Sequence, residues 1–284
     1  MNKSSRILLA VLIFTVVISG AVLYAVWRED RRGLMTVSFL DIGQGDAIFI
    51  DAPSGRQMLI DGGPNGTVLR KLSEVMPWWD RAIDVVLATH PDTDHSNGLA
   101  DVFARYRVGT IFLPSVEGST ADWEATLRAA RAEDADEYIA ERGQVIDLGE
   151  GAHARILFPD RKLPHAETNL ASTIVHLTYG DTSFMLTGDS PDEIELYLTG
   201  LDGTALRSDV LKAGHHGSKT SSAIAFISVV DPTYAVFSRG CENRYGHPAP
   251  EVVGRFAKLA VETLDTCQKG TVTFVSDGKT VVKK

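Results

Sequence analysis

Cysteine is nearly absent from this 284-residue sequence. Only Cys241 and Cys267 occur, in neither a CxxC nor a zinc-ribbon spacing, which excludes the thiolate-rich metal and redox motifs. Such a pair is compatible with one disulfide in a domain outside the cytoplasm and equally with two unrelated thiols. A second long apolar run is missing as well, so a multi-span channel is not expected. No repeat of solenoid period is present. Positive charge is in short supply: 28 Lys and Arg stand against 37 Asp and Glu, a net charge of −9. Residues 1–33 carry Lys3, Arg6, Arg28, Arg31 and Arg32 against Glu29 and Asp30, a local +3, so the remainder must carry −12. A body that acidic does not attract polyanions through its overall field. A nucleic-acid substrate would need a local basic patch or bound cations.

What is present is a core-forming composition, 44% hydrophobic and 23% charged. That suffices for one large domain or two small ones and argues against global disorder. Residues 7–27 form one uncharged apolar run that includes Tyr24 and Trp27 near its end. It is long enough to cross a bilayer as a helix, with aromatic residues where an interfacial belt would fall. A cleaved signal peptide competes, since Ser19-Gly20-Ala21 offers small residues for cleavage. The run continues past that point, which favours an uncleaved anchor. The flanking cations are nearly balanced, and the expectation is a short cytoplasmic end with an exported domain. The expected organisation is a tail at 1–6, an anchor at 7–27, a linker at 28–34 and one domain at 35–284.

Within that domain, strand-like runs at 36–40, 47–50, 57–60, 83–88 and 110–113 alternate with helical patterns at 68–75, 98–106 and 121–132. The second half repeats the rhythm, with strands at 154–158, 173–178, 183–186, 209–212 and 234–237 and helices at 191–198, 222–229 and 251–259. Residues 271–275 and 280–282 should close a hairpin around Asp277-Gly278. The pattern is mixed α/β with hairpins, neither purely parallel nor a bundle.

The chemistry concentrates in Thr89-His90-Pro91-Asp92-Thr93-Asp94-His95, placed after an apolar strand and before a helix. Imidazoles and carboxylates gathered on one tight loop are what a divalent metal requires. A solvated loop with Asp94 or Ser96 as a helix cap is the plainer alternative. Four ligand-type side chains within six residues make it a poor one.

This segment is similar to the His-x-His-x-Asp-His signature of the metallo-β-lactamase superfamily. Residues 90–98 resemble more closely the variant in the carboxy-terminal domain of the competence protein ComEC. Further motifs carry the resemblance in order, over nearly everything from Val37 onward: Val37-Ser-Phe-Leu-Asp-Ile-Gly-Gln-Gly-Asp-Ala47, Leu59-Ile-Asp-Gly-Gly63, Asn169-Leu-Ala-Ser-Thr-Ile-Val175, Leu186-Thr-Gly-Asp189, Leu211-Lys-Ala-Gly-His-His-Gly-Ser218 and Arg244-Tyr-Gly-His-Pro248. The resemblance implies an αβ/βα four-layer sandwich with two divalent cations at one edge of its sheets, zinc or manganese, with magnesium as a further option. It implies that His90, Asp92 and Asp189 hold one cation. Asp94, His95, Asp189 and a late histidine would hold the other, with Asp189 bridging. His216 is the expected late ligand because it directly precedes the turn glycine, which leaves His215 to contact substrate or support a ligand. Asp61 is expected to orient a ligand histidine, against its reading as a turn residue before Gly62-Gly63. Asp46 is ambiguous in the same way.

The expected catalytic set is Asp94, Asp189, His215 and His247. His247, in a Gly-His-Pro turn, is either a general acid or a turn histidine. Asn169 and Ser172 are carried as supporting positions. Lys212, Ser218, Lys219 and Arg244 are candidates to hold phosphate oxygens, although for any one of them a solvated side chain is the simpler reading. His153, His165 and His176 lie outside every motif and are read as surface or structural.

Two departures from the commoner pattern matter. Asp92 stands where a histidine is usual, and Asn169 where a third histidine ligand is usual. Both exchange nitrogen for oxygen at the same cation, which favours manganese or magnesium over zinc and weakens the case for a zinc β-lactamase. The implied activity is hydrolysis of a phosphodiester in DNA at the cell envelope, by a water that two metals activate. Hydrolysis of a small envelope phosphoester or nucleotide is the second expectation. A non-catalytic module in a DNA-uptake or envelope complex is the third. No protein partner is identifiable, and the membrane is the expected partner of the amino-terminal run.

Overall fold

A long apolar run without a charge satisfies its backbone groups away from water only by closing them into a helix. In the computed structural model, α1 (Lys3–Asp30) is one continuous helix. Its segment Lys3–Val26 is long and apolar enough to cross a membrane, and no residue of its most apolar stretch is buried. The helix takes in residues 3–6 of the expected tail and 28–30 of the expected linker. The structure describes residues 3–30 and 33–284, and of residues 27–30 the backbone alone. The expectations placed on the Trp27 side chain and on the charges of Arg28, Glu29, Asp30, Arg31 and Arg32 lie outside the described residues.

The strands are β1 (Met35–Phe39), β2 (Ile48–Asp51), β3 (Gln57–Ile60), β4 (Ala82–Leu87), β5 (Arg107–Leu113), β6 (Asp136–Ile139), β7 (Val145–Gly149), β8 (Ala152–Phe158), β9 (Ile174–Tyr179), β10 (Thr182–Leu186), β11 (Val210–Lys212), β12 (Tyr234–Phe237), β13 (Glu262–Asp265), β14 (Val272–Ser276) and β15 (Val281–Lys283). They form two sheets, ordered β15-β14-β1-β2-β3-β4-β5-β6 and β13-β12-β11-β10-β9-β8-β7. Helices α2 (Thr67–Val75), α3 (Thr93–Arg105) and α4 (Ala121–Ala130) cover the first sheet. Helices α5 (Asp192–Asp202), α6 (Ile224–Val230) and α7 (Pro250–Lys258) cover the second, and a short α8 (Thr266–Lys269) follows β13.

The period of two along each strand builds the layers. Val85 and Leu87 of β4 face Phe184 and Leu186 of β10 in the core between the sheets. Val86 instead packs outward on Leu99, Val102 and Trp123 of the first helical layer. Met185 packs outward on Leu198, Ile227 and Phe256 of the second. Strands buried on both faces read as near-continuous apolar runs, and Val85-Val86-Leu87 of β4 and Phe184-Met185-Leu186 of β10 are such runs. The expected four-layer αβ/βα sandwich behind one apolar helix is what the chain adopts.

Several boundaries differ from expectation. Helix α3 begins at Thr93, not at residue 98, because Asp92 takes the extended cap conformation and its carbonyl accepts from the amides of His95 and Ser96. Asp94 and His95 therefore sit in a first helical turn. Strands β6, β7 and β13 were not expected. The four residues of β6 are all exposed, so no burial pattern marks them. Cys241 and Cys267 form a disulfide, which settles the choice the sequence left open.

Candidate metal centre

Strands β3, β4, β5 and β6 run parallel, as do β10, β11, β12 and β13. Ligand sites in such sheets lie beyond the carboxy ends of the strands, and both sheets bring those ends to one place. Asp61 follows β3, His90 follows β4, Asp189 follows β10, His215 and His216 follow β11, and Ser238 follows β12. The turn between β1 and β2 adds Asp46. It lies close on α3 because Gly45, at φ +125°, has no Cβ; one added there would stand 1.9 Å from the Asp94 carbonyl oxygen.

One ligand atom from each of Asp46, His95, Asp189 and His216 falls within a mutual 4.8 Å, all four residues buried. Asp189 is central: its Oδ2 lies 3.3 Å from His95 Nε2, 3.2 Å from His216 Nε2 and 3.5 Å from His215 Nε2. Asp94 Oδ2 stands 3.4 Å from His216 Nε2. His90 Nε2 is 3.8 Å from Asp92 Oδ2, and the His90 and His95 rings are 4.1 Å apart. The structure thus brings His90, Asp92, Asp94, His95, Asp189, His215 and His216 into one pocket and adds Asp46.

The far sides of three imidazoles are held. His95 Nδ1 lies 2.8 Å from Asp61 Oδ2, and His216 Nδ1 lies 2.8 Å from the Ser238 carbonyl oxygen. His90 Nδ1 lies 2.9 Å from Thr89 Oγ1. Asp61 also accepts from the Thr89 amide at 2.8 Å and its hydroxyl at 2.7 Å. An Nδ1–H donated backwards fixes the tautomer and leaves a lone pair on Nε2. The Nε2 atoms of His90, His95 and His216 are buried without any hydrogen-bond partner. Buried polar atoms without a partner are rare, and three of them facing shared carboxylates fit a divalent cation as the missing partner. Asn169 Oδ1 is likewise buried without a partner, an oxygen donor of the kind the sequence pattern places there.

The electrostatics show the pocket's demand for positive charge, which protons on the imidazoles meet until a divalent cation displaces them. Burial disfavours charge at Asp189, yet His216, His95 and Lys212 hold its carboxyl well below the usual range. Burial opposes ionisation of Asp94 too, and His216 brings it down to about 2. Burial works against the imidazoliums of His95 and His216, but the neighbouring carboxylates, Asp189 first, hold both well above the ordinary value. Burial together with the charge on His95 keeps His90 well below it. These carboxylates create a field that draws positive charge into the pocket.

Lys212 is fully buried, and its Nζ lies 2.6 Å from Asp46 Oδ2 and 3.2 Å from Asp189 Oδ1 while donating to the Gly188 carbonyl at 2.6 Å. With its donors committed to the pocket wall it is not a free phosphate hand. Ser172 is buried, accepts from the Asp189 amide at 3.1 Å and lies 3.4 Å from His90 Nδ1. The Ser218 hydroxyl is occupied within its own turn by Thr220. Lys219 is exposed, and Arg244 stacks over the Tyr245 ring at the surface. His215 is part-exposed at the mouth with its ring 5.9 Å from that of His247, which stacks on Tyr245. Sequence reasoning missed Thr89, the Lys212 and Asp46 ion pair, and Ser238. Thr89 sits beside His90 and was within reach, whereas Ser238 lies in no motif and left no signal.

Residues 40–240 match the family model described as the metallo-beta-lactamase superfamily. The ComE operon protein 3 of Bacillus subtilis (strain 168) is 31% identical over 260 residues, covering 84% of this chain and 32% of that protein. The competence protein ComA of Neisseria gonorrhoeae is 29% identical over 242 residues, again 84% of this chain and 32% of its own length. The chain spans about a third of the length of these curated relatives. Among solved structures, the metallo-beta-lactamase fold protein YhfI from Bacillus subtilis superposes with a TM-score of 0.55 at 14% identity, over 81% of this chain and 95% of that one. CmlA, a diiron beta-hydroxylase from Streptomyces venezuelae, gives 0.52 at 14% identity over 81% and 52%. At such identities the likeness concerns the fold alone.

Proposed function

Because this chain belongs to the metallo-β-lactamase superfamily, among relatives of the ComEC-like competence proteins, we propose that it is a dinuclear metal-dependent phosphodiesterase acting on DNA at the cell envelope. The observation that carries this reading is the set of buried Nε2 atoms of His90, His95 and His216, facing Asp189 without partners. Asp94, His95, Asp189 and His216 would hold one divalent cation, with Asp46 close enough to join them. His90, Asp92 and the shared Asp189 would hold the other. The oxygen donors Asp92 and Asn169 favour manganese at that second position. Two bound divalent cations supply water activation near neutral pH and charge neutralisation at a phosphoryl centre.

The chain's own groups prepare that chemistry. Asp61 and the Ser238 carbonyl lock the tautomers of His95 and His216. Lys212 offsets part of the charge on Asp46 and Asp189 and holds Asp189 in place. His215 stands at the open side, where a substrate oxygen would enter. Burial, with His215 and His216 nearby, keeps His247 below its ordinary value. It is then neutral at pH 7 and serves a leaving oxygen as a hydrogen-bond donor. The anchor is residues 7–27, and residues 35–284 form the hydrolase domain. The disulfide supports placing that domain outside the cytoplasm.

The test is turnover by the full chain on single-stranded DNA, double-stranded DNA and bis(p-nitrophenyl) phosphate with Mn²⁺, Mg²⁺ or Zn²⁺. Asp189→Ala should abolish it with the fold intact, and retained activity in that variant sinks the mechanism. The acidic balance of the domain favours a second reading, a small envelope phosphoester. Turnover of the small ester with inert DNA would select it. DNA binding that survives chelation without hydrolysis would instead select the scaffold.

A further inference from the structure

We propose that the Trp78 and Trp79 loop is a second membrane contact, which holds the domain against the bilayer that α1 enters. Residues 77–80 connect α2 to β4 and present two indoles to solvent, Trp78 77% exposed and Trp79 54% exposed, packed edge to face at 5.6 Å. Two neighbouring exposed tryptophans are costly in water unless something covers them. What covers them follows from their position. Trp79 lines a groove of ≈ 390 Å³ with Gly20, Leu23 and Tyr24 of α1. If Lys3–Val26 crosses a bilayer, those residues are its last turns, so the loop stands at the level where hydrocarbon meets headgroups. Tryptophan prefers that level because its ring is apolar and its N–H is not.

The charge beside the loop fits a lipid surface. Arg81 directly follows it, Arg107 pairs with Ala82 on the neighbouring strand, Arg105 lies two residues before Arg107, and all three are exposed. The Arg107 amide donates to the Arg81 carbonyl at 2.9 Å, and the charges of Arg81 and Arg105 both act on Tyr106. The intervening Asp80 is turned inward, accepting from Gln57 Nε2 at 2.8 Å and the Ala82 amide at 3.2 Å. A basic and aromatic rim on an otherwise acidic body matches anionic phospholipid. Strand β4 fixes the consequence. The loop precedes its six residues and His90 follows them, so loop and metal centre are about 20 Å apart at 3.3 Å per residue. The metal centre therefore lies at the far end of β4 from the loop that meets the bilayer.

The experiment uses the full chain in vesicles of phosphatidylcholine with and without phosphatidylglycerol, carrying acyl chains brominated near the ester. The loop signal is the fluorescence lost in a Trp78→Phe/Trp79→Phe variant. Co-flotation with the vesicles checks insertion of α1 in both proteins, while Trp123 is buried at 3% exposure. We expect bromolipid to remove at least half of the loop signal, with aqueous acrylamide several-fold less effective than on the protein in detergent. In phosphatidylglycerol vesicles, an Arg81→Glu/Arg105→Glu/Arg107→Glu variant should lose most of that quenching. Co-floating protein whose loop signal is untouched by bromolipid and open to acrylamide would overturn the contact. Equal quenching with the three arginines reversed would overturn its preference for anionic lipid. Equal thermal midpoints and metal content across the variants exclude misfolding as the cause.

Discussion

Asp61 shows how much a carboxylate that need never touch a cation can control. It holds the Thr89 amide and hydroxyl and the back of His95 from one buried position. Its φ of 59° is left-handed, a conformation Asn tolerates. Asp61→Asn should therefore keep the fold and weaken metal binding by about 10–100-fold through a loosened His95. A metal titration by calorimetry checks this, and unchanged affinity would remove the role. Glu195 makes a different point. It is fully buried on α5 and accepts from the amides of Ser222 and Ala223 at the start of α6. Burial raises its pKa to about 7, with those amides pulling the other way. The folded state thus grips the proton more tightly than the unfolded chain. The stability this contributes is fully present below about pH 4.5 and is lost as pH rises through about 7, on the order of 3 kcal/mol. Glu195→Gln should flatten the fall in melting temperature between pH 5 and 8, at a pH-independent cost of about 1 kcal/mol for one lost acceptor. An unaltered slope would show that Glu195 does not titrate there.

Among the elements, α3 carries the most, since Asp94 and His95 occupy its first turn. It reaches the β3 end only because Gly98 has no side chain: a Cβ there would lie 2.0 Å from the Gly62 carbonyl oxygen. Gly98→Ala should push the helix outward, destabilise by about 1–3 kcal/mol as overpacking does, and lower metal affinity together with the melting temperature. A loss of stability with full affinity would mean the ligands do not ride on the helix. The same helix shows what was legible in the sequence. Its ligands could be read because four ligand-type residues crowd one segment. Its start could not, because the ligand cluster reads as a tight loop ahead of the helix and only the cap geometry at Asp92 reveals the turn. Strand β4 is visible as a largely apolar run and β10 as a strand pattern at 183–186, whereas β6, exposed throughout, offers no pattern to read. Lys212 looked like a surface cation. Its burial against Asp46 depends on a turn of one sheet and a strand of the other brought together over more than half the chain, which no local pattern encodes.

For the molecule as a whole, the disulfide closes the second sheet's far segment. Cys241 and Cys267 are 26 residues apart. The bridge ties the stretch leading to His247 to α8. Loop-closure entropy over that separation is worth about 3 kcal/mol, or roughly 5–10 °C in a domain of this size. Reductant should lower the melting temperature by that amount, while a Cys241→Ser/Cys267→Ser variant, already lowered, should not respond. An oxidised protein whose melting is indifferent to reductant would deny the bridge its weight.

Neither sheet owns the pocket. Asp46, Asp61, His90, Asp94 and His95 come from connections of the first, and Asp189, Lys212, His215, His216 and Ser238 from those of the second. The two halves meet there as along a seam, and a cation bound across it would act as a rivet. A fragment ending after β8 would carry half a ligand set and no catalyst, however well it folded. The complete ligand set exists only where the two sheets are docked on one another.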